Sequence, residues 1–178
     1  MLRVINSYSA ITLVARSLVV FDIDDTLVHF PDYDLIWWNA KKAGYEQSMS
    51  KEEADRETLL DWRAAVHHID PQPIDKDGFL QFYAKAKAAD CDIIFLTARS
   101  EKLKEITHRH LKNSVMECDE ADVFFGEDKG PSLISILQER RAYHHVIFVD
   151  DLVKNHESVR TSLDAIGLPV DTYHFQMK

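Results

Sequence analysis

The sequence predicts an α/β fold: a three-layer Rossmann-like domain in which a parallel sheet lies between two layers of helices. Three short apolar segments support this prediction, namely residues 18–21, 93–96 and 146–149. Each is continuous rather than alternating, which is typical of a strand buried on both faces of a parallel sheet. Helical periodicity between these segments indicates crossover helices that cover both faces.

Two weaker segments extend the predicted sheet. Residues 123–125 are predicted as a fourth strand, closed by Gly126, and residues 170–175 as a fifth strand at the edge of the sheet. The last helix is expected to end at Gly167, because glycine and the nearby Pro169 form a helix stop signal. Four helices of the domain are predicted, near residues 77–89, 100–112, 131–137 and 152–166.

The segment between the first two strong strands is too long for a single crossover. Residues 31–70 predict two helices, near 35–43 and 50–68, and Ser50 with Glu53 forms a capping box at the start of the second. We therefore predict a core domain of residues 1–30 and 71–178 with a small helical cap inserted at residues 31–70. Ligands bind at the carboxyl ends of strands in open α/β sheets, so an insert there would cover the binding site as a lid.

Composition limits the classes of function. A chain of 178 residues suits one domain with a small insert. The net charge of −9 disfavours nucleic acid as a partner. Cys91 and Cys118 belong to no CxxC pair, so we expect reduced thiols and no zinc site. No segment approaches the roughly 18 apolar residues that a membrane span needs, and the N-terminus is a weak signal peptide. We expect a cytoplasmic protein, with signal-less export left open.

Polar residues cluster where the predicted strands end. In a parallel sheet these ends meet on one rim, where massed carboxylates repel one another unless a divalent cation lies among them. Carboxylate oxygens suit Mg²⁺, which we predict as the cofactor. The residues at the four strand ends are Asp22, Asp24, Asp25 and Thr26; Thr97, Ala98 and Arg99; Glu127, Asp128 and Lys129; and Asp150 and Asp151.

Phosphoryl transfer would use each of these residue types. A carboxylate can attack phosphorus and form an aspartyl-phosphate, which splits one difficult step into two. A second carboxylate can protonate the leaving group as a general acid and then activate water as a general base. A hydroxyl and a lysine can bind the phosphate oxygens, while a metal ion offsets the negative charge.

The sequence resembles the haloacid dehalogenase (HAD) superfamily. Residues 19–27, VVFDIDDTL, resemble its first motif, a hydrophobic strand followed by DxDxT. Residues 96–99, LTAR, resemble the second motif, Lys129 stands at the position of the third, and FVDD at residues 148–151 resembles the fourth. Order and spacing agree over residues 18–166, and the insert is similar to the helical cap of the superfamily.

A closer similarity is to the DUF2608 group, a bacterial HAD-like family of uncharacterised function. It depends on an expected apolar helix before the first strand, a tryptophan-bearing insert, LTAR, a late KG followed by a leucine-rich helix, and VIFVDD at residues 146–151. Residues 126–130, GEDKG, depart from the pattern of that group, because the apolar residues and the extra glycine expected before the lysine are reduced.

The resemblance implies a role for each motif residue. Asp22 would be the nucleophile and a metal ligand, and Asp24 the general acid and base, with its backbone carbonyl also on the metal. Asp150 would bind Mg²⁺ directly, and Asp151 would assist it or orient Lys129. An aspartate at position 24 favours a phosphatase, because in this superfamily dehalogenases lack it and transport ATPases carry threonine there.

The remaining motif residues would bind the substrate. Thr97 and Lys129 would bind and neutralise the phosphate, with Ala98 beside them. Arg99 would contact the substrate phosphate, or it would act in capping or in pairing with a surface acid. We therefore predict a Mg²⁺-dependent phosphomonoester hydrolase acting on a small phosphorylated molecule. The alternatives are a phosphomutase or phosphotransferase of the same fold, and a catalytically weak binding or regulatory protein.

Aromatic residues and histidines leave further alternatives open. Trp37, Trp38 and Trp62 lie in the insert, where they form either a small cap core or an aromatic lid over the substrate. The nine histidines occur mostly as adjacent or near-adjacent pairs that suit no single helix face, so we expect no histidine ligands among them. His29 is the exception left open, because it lies just past the first motif where the insert begins.

Overall fold

The computed structural model describes residues 2–177 and divides the chain into two compact units. One unit comprises the residues up to Val28 together with those from Pro73 onward, and the other is His29–Gln72. The first unit contains a six-stranded sheet in which every pairing is parallel, in the order β1-β8-β7-β2-β5-β6. Its strands are β1 (Leu2–Ile5), β2 (Leu18–Phe21), β5 (Asp92–Thr97), β6 (Val123–Phe125), β7 (Val146–Asp150) and β8 (Val170–Phe175). The two remaining strands, β3 (Val28–His29) and β4 (Gln72–Pro73), form a separate two-stranded sheet.

The central strands are buried on both faces, as the continuous apolar segments predicted. Successive side chains of a strand point to opposite faces, so β2 contributes to two separate core clusters. Val19 and Phe21 pack in one cluster, whereas Leu18 and Val20 pack in the other. All four residues of β2 have no exposed surface.

Helices cover both faces and complete the three layers. Helix α3 (Lys76–Ala88) buries Phe79 and Phe82 in the first cluster. On the other face, α5 (Lys129–Gln138) and α6 (Val153–Asp164) bury Leu133 and Val159 in the second cluster. The predicted three-layer α/β fold is therefore confirmed. Among residues 2–177, no helix is long and apolar enough to cross a membrane.

The predicted helix at residues 100–112 is divided into three parts. A 3₁₀ turn at Glu101–Leu103 leads into α4 (Lys104–His110), which widens into a π-helical turn at Leu111–Val115. Leu111 and Val115 are both buried in the first core cluster. Such π turns insert a residue into a helix, which hydrophobic periodicity alone does not reveal.

The N-terminal segment corrects two expectations. The expected apolar helix is absent from residues 2–10, which form β1 and a 3₁₀ turn at Tyr8–Ala10. β1 pairs with β8, so β8 is an inner strand and the prediction that it forms the edge was wrong. β1 has four residues, two of them exposed, and is too short for the sequence to show a strand pattern.

The second unit contains two helices, α1 (Leu35–Tyr45) and α2 (Lys51–Val66), which pack against each other. Lys41 and the hydroxyl of Tyr45 both lie 2.8 Å from the Asp61 carboxylate and so link the helices. The predicted capping box of Ser50 and Glu53 is present at the start of α2. The three tryptophans belong to this unit, and all three are half-buried. The role of the insert as a lid stays a prediction.

Candidate active site

Three central strands end at the same rim of the sheet, where β5 and β7 extend slightly beyond the last residue of β2. Phe21 at the end of β2 is in register with Phe95 on β5 and with Val149 on β7. The backbone N–H of Asp22 donates to the Val149 carbonyl at 2.9 Å, which extends the pairing by one residue. This register brings the residues after β2 and the end of β7 to one rim of the sheet, as the parallel arrangement predicted.

The loop after β2 is held by its own backbone. The N–H groups of Leu27 and Val28 both donate to the Ile23 carbonyl, at 2.9 and 3.1 Å. Asp25 has φ of 54°, in the left-handed region that aspartate tolerates better than most residues, and its N–H donates to the Val28 carbonyl at 2.8 Å. Asp25 therefore stabilises the turn through its backbone, and the turn keeps its neighbour Asp24 on the rim.

Three carboxylates form a candidate metal centre. One oxygen from each of Asp22, Asp150 and Asp151 lies within 4.8 Å of the others, and Asp22 and Asp150 are buried. The donors are all carboxylate oxygens, which suit a hard divalent cation. The carboxylate of Asp24 is not part of this group of three. The expected contribution of Asp24 to a metal was its backbone carbonyl, so this placement leaves that expectation untested.

The pKa values of these carboxyls rise because of crowding and burial. Burial raises the pKa of Asp22 to about 7, against the opposing charge of Lys129 and with further increases from Asp150 and Asp24. The pKa of Asp151 is raised to about 8 by burial and by Asp22, Asp150 and Asp25. The pKa of Asp150 is also raised by burial. A divalent cation would stabilise the ionised forms, so the donor set fits one.

Lys129 is the buried cation of the centre. Its Nζ donates to Asp22 Oδ1 at 2.6 Å and to the carbonyl of Leu96. Lys129 is the first residue of α5 rather than a residue before it. The next residue, Gly130, packs so close to α6 that a Cβ would lie 2.4–2.5 Å from Ser162 and Ser158 atoms. Glycine at that position therefore permits the helix contact that places Lys129.

The second-motif residues lie beside this centre with different partners. The Thr97 side chain is buried, and its Oγ1 accepts the Arg99 backbone N–H at 3.2 Å. Ala98 is exposed. The Arg99 guanidinium forms a two-point contact with Asp24, Nε to Oδ2 at 2.8 Å and Nη2 to Oδ1 at 2.7 Å. Among the roles expected for Arg99, the structure contains an acid pair, but with a motif aspartate rather than a surface acid.

Several supporting residues escaped the sequence interpretation. Asn155 Nδ2 lies 2.9 Å from both carboxylate oxygens of Asp150, and the Leu152 N–H donates to Asp150 Oδ1 at 2.8 Å. His156 Nε2 lies 3.0 Å from the Asp150 carbonyl, and burial lowers the pKa of this histidine to about 4. Asn155 is one polar residue among many in the polar first turns of α6, so no pattern distinguishes it.

The fold and the rim of carboxylates define an enzyme of the HAD class. A family model described as HAD superfamily, subfamily IIIB (acid phosphatase) matches residues 2–143, and the chain belongs to this family. The protein is thus a phosphatase, and the predicted superfamily is confirmed. The family model that matches is the acid phosphatase subfamily. The similarity to the DUF2608 group stays a prediction.

Solved structures share the fold at low sequence identity. A HAD hydrolase of family IA, variant 3, from Entamoeba histolytica matches with a TM-score of 0.55 and 15% identity, covering 82% of this chain and 80% of that one. The HAD domain of the effector Lem4 from Legionella pneumophila, an inactive mutant, matches with a TM-score of 0.53 and 14% identity, covering 92% of this chain and 87% of that one. A tungstate-bound class C acid phosphatase from Bacillus anthracis matches with a TM-score of 0.52 and 11% identity, covering 93% of this chain and 69% of that one. A search of curated proteins found no match.

Proposed function

We propose that this phosphatase hydrolyses small phosphomonoesters with Mg²⁺, through an aspartyl-phosphate on Asp22. The observation that carries the proposal is the environment of Asp22. Its buried carboxylate lies 2.6 Å from the buried Lys129 amine and within 4.8 Å of ligand atoms of Asp150 and Asp151. A nucleophile, a fixed cation and two further carboxylates for a metal ion are what phosphoryl transfer to a carboxylate requires.

In the first proposed half-reaction, an Asp22 oxygen attacks phosphorus and forms the new P–O bond. The P–O bond to the leaving group breaks, and its electron pair goes to the leaving oxygen. Asp24, in its protonated form, transfers a proton to that oxygen, so an alcohol departs. The Asp24 side chain is 31% exposed, which suits a group that exchanges protons with substrate and solvent.

In the second half-reaction, a water oxygen attacks phosphorus while Asp24 accepts a water proton. The P–O bond to Asp22 breaks, which returns the Asp22 carboxylate and releases inorganic phosphate. Asp24 regains the proton that it gave up in the first half-reaction. The chain therefore ends each turnover in its starting protonation state.

The other rim residues would bind the phosphoryl group. Lys129 would neutralise its charge, with Thr97 Oγ1 and the backbone at Ala98 offering further contacts on the same loop. Asp22, Asp150 and Asp151 would hold Mg²⁺ through side chains, and Asp24 through its backbone carbonyl. Bound Mg²⁺ would supply charge stabilisation between the nucleophile and the phosphoryl oxygens.

Trapping the intermediate tests this proposal. With Mg²⁺ and a 4-nitrophenyl ester, Asp24→Asn should accumulate a chain heavier by one phosphoryl group after acid quenching, because the base for the water step is missing. Peptide mass spectrometry should locate the group on Asp22, and Asp22→Asn should carry none. Phosphate release by the wild type without any labelled chain, or labelling elsewhere, contradicts the aspartyl-phosphate. Release that proceeds unchanged in EDTA contradicts the metal requirement.

The same assay separates the remaining alternatives. Transfer of the phosphoryl group to an added alcohol in preference to water would identify a phosphotransferase. Absence of turnover across a broad panel of phosphorylated metabolites would favour a binding or regulatory role. The cap at residues 31–70 and the cytoplasmic location belong to the proposal as predictions of the sequence.

A further inference from the structure

The two-point contact between Arg99 and Asp24 joins a buried cation to a partly exposed carboxylate. The Arg99 side chain is 1% exposed, whereas the Asp24 side chain is 31% exposed. A guanidinium that pairs through two parallel N–H···O bonds fixes the plane of a carboxylate as well as its distance. The contact therefore restricts the rotation of Asp24 far more than a single bond would.

The Arg99 guanidinium also contacts two side chains of α4. Its Nη1 donates to the Thr107 hydroxyl at 3.3 Å and lies 3.1 Å from Nδ1 of His110. Thr107 and His110 have no exposed surface. All three guanidinium nitrogens are thus engaged within the protein, Nε and Nη2 on Asp24 and Nη1 on the helix. Each carboxylate oxygen of Asp24 still has lone pairs beyond those directed at Arg99.

We propose that Arg99 is a positioning residue that orients the Asp24 carboxylate for proton transfer, rather than a ligand of the substrate phosphate. This inference rests on the proposed function, because it assigns Arg99 to the acid–base group of that reaction. The helix α4, through Thr107 and His110, then acts as the rigid support for the orientation. In this role Arg99 would contact neither the reacting phosphorus nor the leaving group.

The two roles for Arg99 predict different dependence on the leaving group. An alkoxide leaves with difficulty unless it is protonated, whereas 4-nitrophenolate leaves readily without a proton. Misplacing Asp24 should therefore lower kcat/KM, which reports the steps up to departure of the leaving group, for alkyl phosphates and spare kcat/KM for the nitrophenyl ester. The later water step is the same for both substrates and affects kcat alone. Loss of a phosphate ligand should slow both equally, because the two substrates carry the same phosphoryl group.

The test compares kcat/KM for a simple alkyl phosphate and for 4-nitrophenyl phosphate in three variants. Arg99→Lys keeps the charge but loses the two-point geometry. We expect its kcat/KM to fall roughly tenfold to a hundredfold for the alkyl ester, and less than about threefold for the nitrophenyl ester. Asp24→Asn should show the same selectivity. The double variant should be no slower than Asp24→Asn alone, because the two residues act as a unit.

A second variant keeps the test decisive if Arg99→Lys does not fold. Thr107→Val leaves Arg99 in place and removes one of its two supports, so it should show a smaller loss with the same selectivity. Thr172→Val, at a buried threonine on β8, is the matched control and should leave kcat/KM unchanged for both substrates. An equal loss on both substrates in either test variant, with weaker inhibition by inorganic phosphate, overturns the proposal in favour of phosphate binding.

The failure of this inference differs from failure of the proposed function. A wild-type protein that hydrolyses neither ester contradicts the proposed function. Hydrolysis by the wild type with no leaving-group selectivity in Arg99→Lys, or in Thr107→Val where Arg99→Lys does not fold, contradicts only the role of Arg99. A urea-unfolding cycle on Asp24→Asn and Arg99→Lys provides a measurement without turnover, and additive effects there would overturn the coupling between the two side chains.

Discussion

Two ion pairs on the rim serve neighbouring aspartates of one motif but differ in construction. In the Lys129–Asp22 pair both side chains are buried, at 0% and 9% exposure, and one Nζ bond joins them. In the Arg99–Asp24 pair only the cation is buried, and two bonds orient the carboxylate. The first pair lies among further carboxylates, whereas the second has α4 behind it.

The difference matches the chemistry proposed for each aspartate. A nucleophile must have an oxygen directed at phosphorus and a compensated charge, which a buried lysine and a metal ion would provide. An acid–base group must reach solvent protons and keep a fixed direction, which a half-exposed carboxylate on a buried guanidinium provides. Neutralisation thus dominates at the first pair and orientation at the second.

The largest expected effect removes the nucleophile itself. Asp22→Asn should lower kcat by roughly 10⁴-fold or more, because no other group can take over the covalent step. The neighbouring Asp25→Asn is the matched control. Asn also tolerates the left-handed backbone of position 25, so this variant should keep most of the activity. Phosphate release with Mg²⁺ measures both, and comparable losses would contradict the assignment of Asp22.

The next effect compares the two buried cations. Lys129→Met leaves the buried Asp22 carboxylate without its partner and should destabilise the fold by about 3–5 kcal/mol at pH 8. Because the pKa of Asp22 in the folded protein is already raised to about 7, the free energy of unfolding falls as pH rises through that value and this carboxyl becomes charged. The penalty should therefore shrink at pH 5, where Asp22 is protonated.

Arg99→Met is the comparison for this stability measurement. Water can solvate the half-exposed Asp24 carboxylate, so the destabilisation by Arg99→Met should change little between pH 5 and pH 8. Urea unfolding at both pH values measures the two variants. An equal pH dependence would show that the pairs do not differ in burial as the structure describes.

A metal titration distinguishes the two regions by a smaller effect. Asp150→Asn should raise the Mg²⁺ concentration for half-maximal activity by at least roughly tenfold, because it removes a carboxylate of the metal centre. Asp24→Asn should leave that concentration nearly unchanged, since only the backbone carbonyl of Asp24 is proposed to contact the metal. The shift of Tm with added Mg²⁺ gives the same comparison without turnover. A matching rise in both variants would place the Asp24 side chain in the metal centre.

The smallest effect is a pH dependence of stability in EDTA. Raised pKa values mean that the folded metal-free protein binds more protons than the unfolded chain, so stability falls as pH rises through them. Asp22 and Asp151, with pKa values near 7 and 8, should lower Tm by a few degrees between pH 6.5 and 8.5. His156, with a pKa lowered to about 4, has the opposite effect, since stability falls as pH drops from its ordinary value of 6.5 towards 4, so its influence fades above pH 6.5.

Added Mg²⁺ provides the control for this pH dependence. A bound cation stabilises the ionised carboxylates, so the fall in Tm should disappear with saturating Mg²⁺. Asp151→Asn should flatten the metal-free profile at its alkaline end. A Tm that rises with pH in EDTA would contradict the raised pKa values.

The strand ends show how far sequence interpretation reaches. The three apolar segments predicted the central strands, because burial on both faces leaves a continuous apolar pattern. β1 was missed because four residues with two exposed side chains carry little pattern. The π turn after α4 was missed because it alters helical register without altering composition.

The candidate site divides in the same way. Motif order and spacing named Asp22, Asp24, Thr97, Lys129, Asp150 and Asp151, because short loops keep these residues close to their strands. Asn155, Thr107 and His110 carry no motif and lie on helices, where one polar residue resembles another. Their positions against Asp150 and Arg99 depend on helix packing.

The sequence by itself determined the layered α/β fold and the set of carboxylates on one rim, because burial patterns and strand-end positions are local properties of the chain. The tertiary structure decided which cation meets which carboxylate. Lys129 and Asp22 are 107 residues apart, and Arg99 and Asp24 are 75 apart. Strand register and the packing of α4, α5 and α6 fix those pairings, and such long-range geometry leaves no periodicity in the sequence.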